Sequence, residues 1–406
     1  MESSLAPEQG NGGRGPTISV VIPVYLGEPF IGETIQSVLD QTYADFELVI
    51  INDCSPDASR DVIDHWVNCD SRCVQFITPH NLGSAPRAIN SRLAHLRGKW
   101  FVYASQDDHF SADWLEKMYD RAMETGADAV IPRLVFDRGG HNNTEIVGLY
   151  GDTSVLLSGR QAVEYSMDWT IPGNALLRMS LVKRVGFAEF AMNADEHSAR
   201  RFFHEARLVA FSGGTFFYSQ LNPNAVTKQV GTVRFDWPYT HIVNYLFLKE
   251  NDYPAAVWHA ELMRAVKSLL TLTSLLDIPK PVSTTIDVAR DRRIARCLSA
   301  FREPATGRDL RNQGRLRDRL LGELMLHGDT TFRLGSLFLR IRRRAWSFWQ
   351  RHWRPKLEAG RRVVQLLFSG ISGNFTTVHR NRRRERGCTW GNASSPDAGS
   401  AHYRQE

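Results

Sequence analysis

Between Thr17 and Phe110 the chain alternates buried-strand and helical patterns, and this alternation restricts its possible folds more than any other feature. "ISVVIPVY" is a continuous β-branched run, and "GETIQSVLDQTY" places Ile35, Val38 and Leu39 at helical spacing. "FELVIIND" repeats the strand pattern and closes in the turn-forming "DCSPDAS", where Ser55 and Asp57 are expected to cap a helix over "SRDVIDHWVN". A third strand, "VQFITP", a third helix, "SAPRAINSRLAHLRG", and a fourth strand, "KWFVYAS", complete the series. Strands separated by helices must pair in parallel with helices on both faces, so the expected class is α/β with a doubly wound, mostly parallel sheet. Such sheets bind ligands beyond the carboxyl ends of their strands. Residues 23–25, 52–53 and 106–108 all fall at such ends and are expected to share one crevice.

The rest of the chain divides by composition. Residues 17–235 carry the α/β pattern, and 236–330 read as a largely helical region in which "AELMRAVKSLLTLTSLL" is the clearest amphipathic piece. Residues 1–16 and 387–406 have the polar, glycine-rich composition of a disordered leader and tail. The five cysteines (Cys54, Cys69, Cys73, Cys297 and Cys388) form no CxxC pair, which fits a reducing compartment. Arginines interrupt the best membrane-span candidate, "LGSLFLRIRRRAWSFWQ", so an integral membrane protein is not expected.

Charge is distributed unevenly. Residues 331–386 hold fifteen Lys and Arg against Glu358 and Glu385, so the overall net charge of +6 resides in this segment and the remainder is net acidic. Its arginines interleave with Trp346, Phe348, Trp349 and Trp353. An aromatic stripe beside a cationic face suits a helix lying in an anionic membrane interface. The same segment also suits packing on the protein or on a second copy. Nucleic-acid binding ranks last of the three. The leading expectation is a cytoplasmic protein held peripherally at the inner face of a membrane.

The stretch "VYASQDDHF" sets Asp107 and Asp108 side by side at a strand end. Burying two carboxylates without a partner costs several kcal/mol. A divalent cation removes that cost, and hard oxygen ligands suit Mg2+ or Mn2+, which also bind substrate phosphates. The alternative is that Asp108 caps a helix starting near Ser111 while Asp107 is solvated.

Four motifs together carry a resemblance. "SVVIPVYLGEPFIGETIQSVLDQTY", "INDCSPD", "ASQDDHF" and "NADEHSARRFF" occur in the order and spacing of family 2 inverting glycosyltransferases, and residues 17–235 look like their GT-A domain. The resemblance implies that Pro23, Val24 and Tyr25 line a nucleotide base pocket and that Asp53 recognises base or ribose. Asn52 stands where the family often has an acid, and an Asx-turn is the other role open to Asp53. "PHNLGSAPRAIN" resembles a loop whose amides approach a diphosphate, with Arg87 as the expected cation or else a surface helix residue. Ser105 replaces the first acid of the metal motif. Asp107 becomes the principal expected ligand for Mn2+ or Mg2+, with Asp108 assisting or binding sugar hydroxyls.

Asp195 and Glu196 match the family's acidic pair in reversed order. Position favours Glu196 as catalytic base with Asp195 as the alternative, and the other acid is expected to cap the helix and pair with Arg200 or Arg201. "DWTIPGNALLRMSLVKRVGF" resembles the segment that faces the acceptor, where Trp169 and Asn174 could touch sugar or Trp169 could be core. In "LNPNAVTK", Asn222 replaces a histidine common in relatives, and Thr227 and Lys228 are possible phosphate contacts. His197 and His204 receive no role. The implied activity moves a sugar from a nucleotide-diphosphate donor to a hydroxyl of a glycan or lipid-linked acceptor, in cell-surface polysaccharide or glycolipid synthesis. A nucleotidyltransferase would need a glycine-rich basic signature after the first strand, which "PVYLGEPFIGE" lacks. A degenerate domain acting as a scaffold through its basic tail is the non-enzymatic alternative.

Overall fold

The computed structural model describes residues 15–140, 142–223, 225, 228, 232–275 and 285–327. Residues 1–14 of the expected leader, the basic segment 331–386 and the tail 387–406 lie outside the described residues, as does Thr227.

The alternating half folds as its pattern predicts. Strands β1 (Ile18–Val24), β2 (Phe46–Asn52), β3 (Cys73–Ile77) and β4 (Trp100–Tyr103) pair in parallel in the order β3-β2-β1-β4. Helices α1 (Ile31–Leu39), α2 (Ser59–Cys69) and α3 (Ala85–Arg92) connect them. Side chains on a strand alternate between faces. Val20, Ile22 and Val24 enter one core layer with Ile31, Ile35 and Ile63, whereas Val21, Val49 and Ile51 enter the other with Ala88 and Ile89. Each fully buried valine or isoleucine contributes about 1.5–3 kcal/mol.

Beyond β4 the sheet becomes mixed. The chain continues through β5 (His109–Phe110), α4 (Trp114–Thr125), β6 (Ala129–Asp137), β7 (Thr144–Ile146), β8 (Leu157–Ser158), α5 (Gly159–Ser166), β9 (Leu176–Arg178), α6 (Met179–Val185), α7 (Ala194–Glu205) and β10 (Leu208–Ser219). Three-residue β9 lies antiparallel between β4 and β6, and β6 pairs in parallel with β10. The register of β10 against β6 slips between Phe211 and Thr215. A Cβ on Gly214 in that bulge would stand 2.8 Å from Trp114 Cα and from Trp114 O. Glycine there lets α4 close onto the strand, where Trp114 stacks on Phe110 with ring centroids 4.0 Å apart.

Helices α8 (Asp236–Glu250), α9 (Ala255–Leu275), α10 (Thr285–Arg302), α11 (Pro304–Arg311) and α12 (Leu316–Leu326) form the helical C-terminal region around a third core that includes Phe235, Tyr245, Leu262, Leu269 and Phe301. Polar contacts fasten this region to α7. His197 Nδ1 lies 2.8 Å from Asn244 Oδ1, and His204 Nδ1 lies 2.8 Å from Tyr253 Oη. Burial lowers the His197 pKa to about 4, so its ring is neutral at pH 7 and serves as a packing and hydrogen-bonding group. Buried Glu261 bonds His241 (2.7 Å) and Arg264 (2.7 Å), and Arg264 reaches the Met167 carbonyl (2.8 Å). Among the described residues no helix is long and apolar enough to cross a membrane.

Candidate active site

The turn after β1 is held by side chains from other segments. Four consecutive amides donate outward: Tyr25 to Gln106 Oε1 (2.8 Å), Leu26 to Ser55 Oγ (2.8 Å), Gly27 to Ser59 Oγ (3.0 Å) and Glu28 to Asp57 Oδ2 (3.1 Å). Gln106 Nε2 returns a bond to the Tyr25 carbonyl (2.9 Å), so one amide side chain clamps the ends of β1 and β4 together. A Cβ at Gly27 would sit 2.7 Å from Gln106 Oε1 and 2.8 Å from Val24 Cγ1, which excludes larger residues.

Ser55 and Asp57 therefore act differently from the expected helix caps. The N-cap of α2 is Ala58, with no side-chain cap bond, although Asp57 Oδ1 accepts the Ser59 amide at 3.2 Å. Burial pushes the Asp57 carboxyl up, but bonds from Ser55, Ser59 and the Glu28 amide outweigh it and hold the pKa below the usual carboxylate range. The side-chain bond that closes this corner comes from Asn52, whose Oδ1 accepts the Ser55 amide (2.9 Å). Asp53 is buried and shapes the next loop. It accepts Thr78 Oγ1 (2.8 Å), and both its oxygens accept the Leu82 amide (2.9 and 3.0 Å).

Not every expected pocket residue faces the crevice. Val24 is 1% exposed because the alternation of β1 turns it into the core, whereas Pro23 is half-buried and Tyr25 exposed. Arg87 spans from α3 to the segment before α7, donating to the Leu82 and Glu189 carbonyls (both 3.3 Å), and it is 3.8 Å from the Glu189 carboxylate.

The paired acids of "SQDD" have different environments. Asp108 is 2% exposed; its Oδ2 accepts the Ser105 amide (2.9 Å) and its Oδ1 the Ser219 amide (3.2 Å). Burial and the neighbouring Asp107 push its pKa well above the carboxylate range. It does not cap α4, whose N-cap is Asp113. Asp107 is half-buried and accepts Asn222 Nδ2 (2.8 Å), so Asn222 stands beside the carboxylate. Lys228 Nζ donates to the Gln220 carbonyl.

Among the described residues no three His, Cys, Asp or Glu converge as metal ligands. One accessible carboxylate with a neighbouring amide fits Mg2+ or Mn2+ only as part of a metal–diphosphate complex, in which phosphates and water supply the remaining ligands.

The acidic pair opens α7. Arg200, one turn later and 4% exposed, is ion-paired to the Glu196 carboxylate and also donates to the Glu196 carbonyl (2.8 Å) and the Ser166 carbonyl (2.6 Å). Among the described residues Asp195 makes no ion pair with an arginine. Tyr103 Oη at the end of β4 is 3.5 Å from Asp195 Oδ2. Burial, then the Glu196 charge, raises the Asp195 pKa to about 7. Replacing Arg200 with methionine should leave Glu196 and the Ser166 carbonyl without their partner and destabilise the fold by about 3 kcal/mol. Urea denaturation checks this, and Glu196→Gln in the same background should recover part of the loss; equal stability of wild type and R200M would contradict the assignment.

Trp169 and Asn174 lie in the turn between α5 and β9. Trp169 is half-buried against the first core layer, 6.5 Å from the Phe136 ring, with φ +66°. A left-handed conformation at so bulky a residue costs about 1–3 kcal/mol and recurs at ligand sites. Asn174 is half-buried with no hydrogen bond to another described residue.

From sequence, Gln106 is expected in the crevice without a named partner, and Tyr103 has no role. Both lie within the quoted "VYASQDDHF", but the partners that matter are 81 and 92 residues away, and no local periodicity reports them.

Residues 19–186 match the family model described as glycosyl transferase family 2. A putative teichuronic acid biosynthesis glycosyltransferase, TuaG, of Bacillus subtilis is 34% identical over 109 residues, 27% of this chain and 43% of that protein. The glycosyltransferase GlyG of Streptococcus pneumoniae is 24% identical over 242 residues, 57% of this chain and 79% of that one. This chain thus spans less than half of the first relative's length and about four-fifths of the second's. Among solved structures, S. aureus TarS 1–349 in complex with UDP-GlcNAc aligns with a TM-score of 0.60 at 15% identity, covering 80% of this chain and 91% of that one. At that identity the likeness is one of fold.

Proposed function

Since residues 19–186 match the glycosyl transferase family 2 model and the chain has the GT-A fold, we propose that it transfers a sugar from a nucleoside-diphosphate donor to a hydroxyl with inversion, using Asp195 as the base. The observation that carries this reading is the division of labour in the acidic pair. Arg200 engages Glu196, while Asp195 stands beside Tyr103, four residues before Asp107, with its pKa raised to about 7. A general base works best when its pKa lies near the operating pH.

In the proposed reaction the acceptor oxygen forms a bond to the anomeric carbon as the bond from that carbon to the diphosphate oxygen breaks. The hydroxyl proton passes to an Asp195 oxygen. Tyr103 restrains the carboxylate, and the Arg200–Glu196 pair keeps the second acid from competing for the proton. The clamped turn 25–28 and the loop ordered by Asp53 form a rigid seat for the nucleoside, while Arg87 stands at the start of α3 as a cation on the diphosphate side. Mg2+ or Mn2+ bound with the diphosphate at Asp107 supplies charge neutralisation for the leaving group. Trp169 and Asn174 are proposed to face the acceptor, a glycan or lipid-linked glycan of a surface polysaccharide or glycolipid.

A panel of nucleotide sugars tested by thermal shift with Mn2+ present, followed by transfer assays, checks the proposal. A selective rise in Tm with one donor class, and turnover of that donor, are expected. No response and no turnover across the panel would favour a scaffold instead. The basic segment is proposed to hold the enzyme at the inner, anionic membrane surface from the cytoplasm. Removing residues after 330 should move it from the pellet to the supernatant with phosphatidylserine vesicles; continued pelleting would count against that role.

A further inference from the structure

A cavity of about 400 Å3 lies between the start of α3, residues 189–192 and α10. Four arginines line it: Arg87 from α3, and Arg292, Arg293 and Arg296 from α10, against two acids, Glu189 and Asp236. The acids face two of the four arginines, Arg293 and Arg87, and leave Arg292 and Arg296 without a carboxylate among the described residues. Asp236 has one oxygen on Arg293 Nε (2.7 Å) and the other on the Met192 amide (3.1 Å). Glu189 stands 3.8 Å from Arg87 and also accepts Asn90 Nδ2 (2.7 Å). Arg296 has neutral partners, the Phe190 carbonyl (2.9 Å) and the Tyr239 ring 3.5 Å beneath its guanidinium. Arg292 is exposed and makes no ion pair with a described residue. Ser84 Oγ, also in the wall, is buried without a hydrogen-bond partner.

We infer that this cavity is an oxyanion subsite taking a phosphodiester or carboxylate of an anionic acceptor glycan. Guanidinium groups match the geometry of both oxyanions and are weakly hydrated, so they retain affinity in a partly closed site. Ser84 supplies a hydroxyl donor that lacks a protein acceptor. The wall segment 189–192 runs directly into α7, so an acceptor unit held here lies along the chain that carries Asp195. The cavity is large enough for a charged group with an attached sugar ring. This rests on the proposed transferase reading, with the arginines of α10 selecting the acceptor class.

The test uses the full chain with three probes, inorganic phosphate, an oligomer of glycerol phosphate and uncharged maltotetraose, followed by calorimetry. The oligomer should bind at least tenfold more tightly than inorganic phosphate, and maltotetraose should not bind. Arg292→Glu and the double variant R292A/R296A should each weaken oligomer binding tenfold or more, and R292K/R296K should restore most of it. The donor-induced thermal shift should be unchanged in all three variants. Phosphate binding as tightly as the oligomer would mark a site for a free anion, and equal oligomer binding by wild type and variants would place the oligomer elsewhere; either overturns the inference. Loss of the donor shift in Arg292→Glu would assign the cavity to the donor and overturn it as well. A wild type that shows no donor shift, yet binds the oligomer through Arg292, would instead refute the transferase reading alone.

Discussion

Asp195→Asn is expected to lower kcat for sugar transfer by about 100- to 10,000-fold, the usual contribution of a positioned base, with donor binding intact. Glu196→Gln should cost less than about tenfold, because that carboxylate is occupied by Arg200. The pH dependence follows from the same geometry. Since the base must be ionised, kcat/KM should rise with pH through about 7 and flatten above it.

Stability should move the opposite way. The Asp195 carboxyl is raised from 3.8 to about 7 on folding, so the folded state holds a proton that the unfolded chain releases between those values. Its contribution is fully present below about pH 4 and is lost as pH rises through 7. Asp195→Asn removes this cost and should stabilise the protein by about 1–2 kcal/mol at pH 8, a gain typical when a strained functional group is replaced. Chemical denaturation at pH 5 and pH 8 measures it. If Asp195→Asn is destabilised at pH 8 and Glu196→Gln is the inactive variant, the roles of the two acids are reversed.

Asp107→Ala should reduce kcat/KM by about 100-fold or more and abolish the dependence of nucleoside-diphosphate affinity on Mn2+. Calorimetry with the diphosphate, with and without Mn2+, separates this from loss of folding. Asp108→Asn should behave differently. Its oxygens hold the Ser105 and Ser219 amides, and its pKa is already raised by burial, so an amide of the same shape preserves one of the two contacts through its single carbonyl oxygen. That substitution should leave the Mn2+ response in place. Equal loss of response in both variants would show that Asp108 reaches the metal.

The parallel half of the sheet was legible because each of its strands is a continuous β-branched run and each helix has an amphipathic period. β9 was not legible, since three residues carry no measurable period and its place between β4 and β6 depends on partners far away in sequence. The acids themselves were legible as motifs. Their individual environments were not, because adjacent aspartates look alike until burial separates them, as it does Asp107 from Asp108.

Sequence by itself determined the α/β class and which strand ends lie together at the carboxyl side of the sheet, because periodicity and turn chemistry act over a few residues; its motifs supplied the candidates for donor and base functions. Tertiary structure decided the partners and burial of each candidate. Arg200 pairs with Glu196, Tyr103 stands by Asp195, the Ser105 and Ser219 amides hold Asp108, Asn222 holds Asp107, and β1 turns Val24 inward while Tyr25 is exposed. These outcomes depend on desolvation and on hydrogen bonds between segments as far as 111 residues apart, and only the folded chain brings such groups together.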